Sequence, residues 1–392
     1  MAGPLVSGIS ERSHRSLVLI ATSSLSMVLG SVHTFSVFLE PLENSLALSR
    51  SDASLTYSLA LLSLTGAVLG GPKIFQTVGP VPLVLAVGGV GGAGTLLAAT
   101  APDIVQIWLG YGLLFGAANG LGYGYGLQLA ARTNPGREGW SMGCVTAFYA
   151  VGAAVAPFPL DRVIGLHGFA GGMVALAIVQ VIASIGAAAL LTSAHARFDR
   201  IEETGGRGRI ILGDLIRLWL GYGSGVAAGL MAIGHATGIA RAAGMTSDIW
   251  IAPTVIAVCN MAGSFVGGFA IDRFESGRLL TRVPLDSAIA LGILAMLRAR
   301  AVVLFLLGAI GTANGAVIAI CPAAISKRFG AADSPRIYRQ VFTSWGLAGL
   351  VASWMAGFLY DTSGSYQRAL MAAAYLALIS AVGAFLNFAK RR

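Results

Sequence analysis

The sequence predicts an all-α membrane protein with twelve transmembrane helices in two pseudo-symmetric six-helix halves. Three observations predict this fold class: the composition, the length of the apolar segments and an internal repeat. Of the 392 residues, 56% are hydrophobic and only 11% are charged, whereas soluble domains have about 25% charged residues. The mean hydropathy is +0.77. A water-soluble protein of this length cannot bury so much apolar surface, so the composition indicates a lipid environment.

Apolar segments recur along the chain at a length that can cross a bilayer, which requires about 20 residues. We place the twelve spans at 17–39, 54–77, 80–99, 103–131, 139–160, 169–192, 211–240, 249–271, 280–297, 301–324, 337–359 and 367–388. The 53 glycines suit this arrangement, because small residues let membrane helices approach closely. The first apolar run is long enough to span, which favours a transmembrane helix over a cleaved signal peptide.

The positive charges are distributed unequally between the two sides of the predicted membrane. Of the 26 Lys and Arg residues, 20 fall on the side of the two termini and 6 on the other side. Because cytoplasmic segments carry the excess of Lys and Arg, we expect both termini in the cytoplasm and the protein in an inner or plasma membrane. The net charge of +9 is therefore a topology signal, and no nucleic-acid partner is expected.

An internal repeat divides the chain. "FGAANG" at 115–120 recurs as "IGTANG" at 310–315, and Asp161 matches Asp361 in the segments after spans 5 and 11. A polar stretch separates the two copies, so the predicted units are an N-terminal half at 1–192, a cytoplasmic linker at 193–210 and a C-terminal half at 211–392. Two parallel repeats with a binding site between them are typical of secondary transporters.

A loop motif supports this interpretation. "GGFAIDRFESGR", 267–278, matches "GGPKIFQTVG" at 70–79 in the first half. The loop resembles the G-x-x-x-D-R-x-x-G-R signature of the major facilitator superfamily. The resemblance implies a cytoplasmic gate in which Asp272, Arg273 and Arg278 pair with the other half. The first-half copy keeps only Lys73. Simple helix-end charges are the alternative explanation.

A more specific resemblance covers residues 112–157 and the segment "GLMAIGHATGIARAAG". Both are similar to the oxalate/formate antiporter and monocarboxylate transporter branch, which implies a small organic anion as substrate. The usual charged residues are missing here. Ser264 stands where carriers of this branch have an arginine in the eighth transmembrane span. Asn260 stands where the monocarboxylate carriers have an aspartate, and Trp345 where the oxalate antiporter has a lysine in the eleventh span.

Two histidines remain as candidate anion-holding and proton-coupling groups. His33, in "HTFSVF", falls on the position of a lysine in the first span of the monocarboxylate carriers. His235 occupies the corresponding place in the seventh span. Histidine gains or loses a proton near neutral pH, and a protonated pair would attract an anion. The alternative is that each histidine hydrogen-bonds a neighbouring helix and packs.

Other polar and aromatic residues complete the candidate binding set. Asn119 and Asn314 are repeat mates, and Tyr123 lies one turn from Asn119 on the same helix face. Asn119 can equally form an interhelical hydrogen bond. Phe342 and Trp345 can form an aromatic wall, or anchor the helix at the membrane interface. The full predicted set of substrate-binding residues is His33, His235, Asn119, Tyr123, Asn260, Ser264, Asn314, Phe342 and Trp345.

The predicted function is secondary transport of a small carboxylate-like anion by alternating access, coupled to protons or by exchange. No nucleophile and base, phosphate-binding loop or metal-ligand spacing is found, so we expect neither an enzyme nor a cofactor or metal. The expected partners are the solute, protons and the bilayer, and the expected oligomeric state is a monomer. Efflux of a neutral or apolar solute is the first alternative. A membrane receptor that transports nothing is the second.

Overall fold

The computed structural model describes residues 10–198, 211–297, 299–330 and 333–389, and it is all-helical over those residues. Most of the predicted linker 193–210 therefore lies outside the described residues. The helices of the N-terminal half are α1 Glu11–Leu29, α2 Ser36–Leu46, α3 Arg50–Phe75, α4 Pro80–Ala99, α5 Ile104–Ile107, α6 Gly116–Thr133, α7 Glu138–Val155 and α8 Pro157–Ser193. Those of the C-terminal half are α9 Leu212–Gly234, α10 Ala236–Ala242, α11 Ile251–Arg273, α12 Ser276–Met296, α13 Arg300–Phe329, α14 Ser334–Ser363 and α15 Gln367–Ala389.

Within the described residues, eleven helical segments are long and apolar enough to cross a membrane. One of them, Glu138–Ser193, has 56 residues, which corresponds to about 84 Å of helix against a hydrocarbon core of about 30 Å. The chain reverses inside it at Gly168, where φ is 67° and ψ is −168°. A Cβ on Gly172 would lie 2.7 Å from Ile164 Cγ1, although eight residues span about 12 Å in a straight helix. This segment therefore contains predicted spans 5 and 6.

Spans 1 and 7 are both interrupted at the position of a candidate histidine. A 3₁₀ turn, Gly30–Thr34, separates α1 from α2 and contains His33. His235 separates α9 from α10, with φ −120° and ψ 17°. The two repeat mates thus lie where their helices leave regular α geometry.

Helices α3 and α14 pack in antiparallel register across the two halves. The contacting pairs are Ser54 with Gly357, Ser58 with Trp354, Leu61 with Gly349 and Thr65 with Gly346. The glycines permit this approach, because a Cβ on Gly349 would lie 2.7 Å from Leu61 Cβ and one on Gly346 2.8 Å from Thr65 Cγ2. The contacts run from the helix end at Arg50 to about the middle of each helix.

The two halves are closed at one end of the bundle, which we call the closed end. It is formed by residues 40–50, 158–168, 241–250 and 360–366. The carboxylate of Asp361 accepts hydrogen bonds from the backbone N–H groups of Arg50 at 3.0 Å and Ser51 at 2.8 Å, at the start of α3. Arg50 donates to Tyr366 Oη at 2.6 Å, and Glu43 holds the other side of the guanidinium group at 2.6 Å. Anions are favoured at a helix N-terminus, so Asp361 stabilises this closure.

Two further contacts close the same end between α2 and α10. Arg241 forms an ion pair with Glu40 at 2.6 Å, and Thr237 Oγ1 donates to the backbone carbonyl of Ser36. The opposite end, which we call the open end, is formed by residues 73–79, 132–138, 273–278 and 327–336. There the hydrophobic clusters of the two halves are separate among the described residues: Phe75 packs with Tyr125 of its own half, and Ile271 with Ala324 of its own half. The structure is therefore in a one-sided conformation, closed at one end and open at the other.

Candidate functional site

The candidate site begins at the interruption of span 1. His33 Nδ1 lies 2.8 Å from Tyr57 Oη on α3, and the His33 ring also meets the edge of Tyr149 on α7, with ring centroids 5.7 Å apart. His33 is half-buried, whereas Tyr57 is fully buried. Three helices thus hold one imidazole in a fixed orientation.

The hydrogen bond at Nδ1 determines the tautomer of the neutral ring. Tyr57 Oη has no other hydrogen-bond partner among the described residues. If His33 donated to it, the buried Tyr57 proton would lack an acceptor, which costs about 1–3 kcal/mol. Tyr57 therefore donates to Nδ1, and the neutral imidazole carries its proton on Nε2. That N–H has no partner in the part of the chain that the structure describes, so it can donate to a solute.

His235 differs from its repeat mate, because both of its nitrogens are bonded. It is fully buried, with Nε2 at 2.8 Å from the carbonyl oxygen of Ser353 and Nδ1 at 3.2 Å from Tyr366 Oη. A carbonyl only accepts, so Nε2 carries the proton and Tyr366 donates to Nδ1. Tyr366 in turn accepts from Arg50 at 2.6 Å. His235 belongs to the hydrogen-bond network of the closed end.

The structure does not bring the two predicted histidines into contact. Tyr57 lies between their two regions, because a Cβ on Gly234, the residue before His235, would lie 3.3 Å from Tyr57 Cδ1. In this conformation the predicted His33–His235 pair is therefore separated: His33 is bonded to Tyr57, and His235 to Ser353 and Tyr366.

Asn119 and Tyr123 line the N-terminal wall beside His33. Asn119 is fully buried, donates to the Leu29 carbonyl at 2.6 Å and accepts from Tyr149 Oη at 3.2 Å. It therefore forms the interhelical bond that the sequence left open. The Tyr123 ring is tilted by 45° against the Tyr149 ring with 4.6 Å between ring centroids, and its hydroxyl lies 3.2 Å from Thr146 Oγ1. This arrangement positions Tyr149 against His33.

An aromatic series on α14 forms the opposite wall. Phe342 and Trp345 are stacked at 5.6 Å with 14° between their planes, and Tyr338 lies 5.8 Å from Phe342. Tyr222 on α9 approaches Tyr338, with the two hydroxyls 3.5 Å apart. The Tyr123–Tyr149 pair thus belongs to the N-terminal half and the Tyr338–Phe342–Trp345 series to the C-terminal half, so each half contributes one aromatic wall.

Asn314, Asn260 and Ser264 occupy the C-terminal half behind this wall. Asn314 is 4% exposed, and its Oδ1 has no hydrogen-bond partner among the described residues. It faces Gly229 on α9. Ser264 donates to the carbonyls of Asn260 and Gly315, both at 3.1 Å, and so holds α11 against α13. Ser264 thus has packing partners, whereas Asn314 retains an unused acceptor.

The predicted gate charges lie at the open end and are bound within their own half. The Arg273 guanidinium lies 3.4 Å from the centre of the Phe269 ring, and Arg278 pairs with Glu275 at 3.1 Å. Asp272 is exposed. Because the two halves are separated at the open end, the implied pairing of these charges with the other half is not made in this conformation.

Four site residues were missed by the sequence analysis: Tyr57, Tyr149, Tyr222 and Tyr338. Tyr149 and Tyr222 lie near the middle of their predicted spans, whereas Tyr57 and Tyr338 lie close to the start of theirs. Tyrosines in membrane proteins concentrate at the two interfaces, so a tyrosine in mid-span was the signal that could have found Tyr149 and Tyr222.

Comparisons with known proteins support a transporter. No family model matches the chain. The chain is 24% identical over 345 residues, covering 86% of each protein, to the uncharacterized MFS-type transporter YhjX of Escherichia coli strain K12. The MFS abbreviation denotes the major facilitator superfamily.

Solved transporter structures have the same fold over almost the whole chain. A bacterial homologue of the human lysosomal transporter Spinster, inward-facing and occupied, is 14% identical with a TM-score of 0.75, covering 98% of this chain and 99% of that one. A peptide transporter POT in complex with alafosfalin is 12% identical with a TM-score of 0.77, covering 96% and 98%. These likenesses confirm the predicted all-α membrane fold, and the proteins matched are transporters rather than enzymes.

Proposed function

We propose that the chain is a secondary transporter of the MFS type that moves a small carboxylate-bearing solute by alternating access. The Nε2–H of half-buried His33, which has no partner among the described residues beside the Tyr149 ring, is the observation that supports it most. A carboxylate accepts this hydrogen bond, and Phe342 with Trp345 packs against the apolar part of the solute. The resemblance to the oxalate/formate and monocarboxylate branch supports the same solute class.

We further propose that His33 couples the solute to a proton. A protonated His33 attracts an anion, and by linkage a bound anion favours the protonated ring to the same extent. Uptake of carboxylate should therefore rise as the external pH falls. Neither an arginine nor a lysine is among the described residues assigned above to the two walls, so the imidazole supplies the positive charge in this mechanism.

Uptake into proteoliposomes tests this assignment. His33→Ala should abolish the pH dependence and lower carboxylate uptake at least about tenfold, the value of one hydrogen bond to a charged group. His167→Ala, at an exposed histidine of the closed end, is the matched control and should transport normally. A pH profile unchanged in His33→Ala would refute the proton-coupling role.

His235 provides an internal comparison. His235→Ala removes two hydrogen bonds from the closed end, so we expect a lower melting temperature, while the purified variant still binds solute. The predicted direct role of His235 in solute binding would instead lower affinity in this variant without lowering its melting temperature.

A neutral solute is the second candidate, and the stacked Phe342–Trp345 pair is the observation that favours it. Each of several short carboxylates should be compared with its primary amide in a thermal-shift assay. Stabilisation by the carboxylates alone supports the anion. Equal stabilisation by the amides would assign the site to neutral solutes.

We propose that the open end faces the cytoplasm, because the cationic excess of 20 to 6 predicts the termini and the adjoining loops on that side. Thr77 at the open end and Thr100 at the opposite end are both exposed. In intact cells, a membrane-impermeant maleimide should label Thr100→Cys and spare Thr77→Cys. The reverse pattern would invert the topology.

A further inference from the structure

A cavity lies at the closed end, away from the two aromatic walls. Its volume is about 450 Å³, it is partly open to the surface, and it is lined by α2, α8 and α10, so both halves of the protein contribute to it. Half of its lining residues are polar, among them Ser36, Glu40, Asn44, Asp161, Thr237 and Arg241, and the other half are apolar residues and glycines. Small-molecule sites have volumes of about 300–1,000 Å³, so this cavity can hold a small ligand.

The charges around the cavity do not balance. Glu40 and Arg241 neutralise each other in their ion pair at 2.6 Å. Asp161 is half-buried and forms no hydrogen bond or ion pair among the described residues. Three further charges act on Asp161: Arg241, Arg162 and Asp248, and the Arg162 guanidinium lies over the Phe158 ring, 5.3 Å from its centre. Among the residues that line the cavity, the two carboxylates Glu40 and Asp161 face the single guanidinium of Arg241, so one carboxylate is in excess.

The repeat mate of Asp161 shows what such a carboxylate does when it is satisfied. Asp361 accepts two backbone hydrogen bonds at the start of α3. Asp161 makes no such bonds among the described residues, so its carboxylate oxygens are available as acceptors at the cavity. A half-buried carboxylate is stabilised by a cation that hydrogen-bonds to it.

We propose that this cavity is a binding site for a small organic cation with a primary ammonium group. Asp161 supplies the charge, and the oxygens of Ser36, Ser45 and Asn44 around the same cavity supply further acceptors for the ammonium hydrogens. The site is distinct from the one beside His33, and its ligand class carries the opposite charge.

A ligand in this cavity touches both halves and therefore favours the conformation in which the closed end is closed. This consequence rests on the alternating-access function proposed above. An amine present on that side of the membrane should then slow transport without competing for the His33 site.

Binding of propylammonium to the purified full-length protein tests the site directly. The melting temperature should rise saturably with propylammonium and stay unchanged with 1-propanol, a neutral molecule of equal size. Asp161→Asn should weaken the apparent affinity by about tenfold or more. Asp248→Asn makes the same charge change outside the cavity lining and should shift affinity less than about threefold, as expected for a screened charge.

A second variant tests the cavity by volume instead of charge. Gly165 lines the cavity, and a Cβ there would meet no atom within 4 Å. Gly165→Leu should therefore fill the space and abolish the propylammonium shift without unfolding the protein. His33→Ala should bind propylammonium normally, which separates this site from the proposed transport site. Equal shifts with propanol, or equal affinity in Asp161→Asn and the parent protein, would overturn the proposal.

Discussion

The two long interfaces between the halves occupy equivalent places in the repeat, yet they are closed to different degrees. On the α3–α14 side, Asp361 bonds two amides of α3 and four residue pairs are in close register. On the side of α7, α8 and α11, Thr254 donates to the Ala154 carbonyl at 2.9 Å and Phe158 meets Trp250 at 5.0 Å. Asp161, the mate of Asp361, faces a cavity instead. The two copies of the repeat thus share a fold, but residues at equivalent positions make different contacts.

The asparagine mates differ in the same way. Asn119 makes two hydrogen bonds within the N-terminal half, whereas Asn314 has a buried Oδ1 without a partner among the described residues. In both pairs, one mate holds helices together and the other has an acceptor without a partner among the described residues. That acceptor lies at the cavity for Asp161 and is buried against Gly229 for Asn314.

The largest loss of stability is expected when a bulky side chain is introduced into the close α3–α14 interface. Gly349→Leu places a side chain where a Cβ already lies 2.7 Å from Leu61 Cβ, and overpacking of this kind costs about 1–3 kcal/mol. On the other interface helix, Gly143 has no atom within 4 Å of a Cβ, so Gly143→Leu should change stability by less than about 0.5 kcal/mol. The stability losses are compared by measuring the melting temperatures of the two purified variants. Equal losses would show that the two interfaces are equally tight.

An intermediate loss of stability is expected when Asp361 is substituted, and a smaller one when its repeat mate Asp161 is substituted. Asp361→Ala leaves the first amides of α3 without their acceptor and should cost about 1–2 kcal/mol. Asp161→Ala, measured without added amine, should cost less than about 0.5 kcal/mol because no bond is lost. Denaturation of both variants in one detergent gives the comparison. A large loss in Asp161→Ala would mean that Asp161 has a structural partner.

The smallest change in stability is expected from substituting the repeat mates Asn119 and Asn314. Asn119→Leu removes two interhelical hydrogen bonds, each worth about 0.6 kcal/mol in a membrane protein. Asn314→Leu removes an unsatisfied buried oxygen and should be neutral or stabilising. Thermal stability separates the two variants, and solute binding then shows whether Asn314 acts on the ligand. A clear destabilisation by Asn314→Leu would remove the contrast between these mates.

The sequence was sufficient for the fold, because span length and composition are local properties. The predicted span 80–99 coincides with α4, Pro80–Ala99, where Pro80 begins the helix. The interruptions at His33 and His235 were not predicted, and the long helix through Pro157 was predicted to end at 160. These features depend on packing against helices that are distant in the chain.

The candidate site was predicted in part. The repeat identified His33 and His235 as equivalent positions, but their different roles depend on Tyr57 and Tyr366, which lie 24 and 131 residues away. A single sequence contains no signal for such long-range hydrogen bonds. The aromatic neighbours Phe342 and Trp345 were found because their spacing of three residues places them on one helix face, where they stack.

The bonds from Asp361 to the start of α3 have a consequence for amide hydrogen exchange. The N–H groups of Arg50 and Ser51 have their acceptor in the other half of the protein, 311 and 310 residues away. Whenever the halves separate at this end, both amides lose that acceptor and exchange their hydrogens with water. Deuterium uptake by a peptide beginning near Ser49 therefore reports how often the closed end opens, in the unlabelled protein and without any known solute.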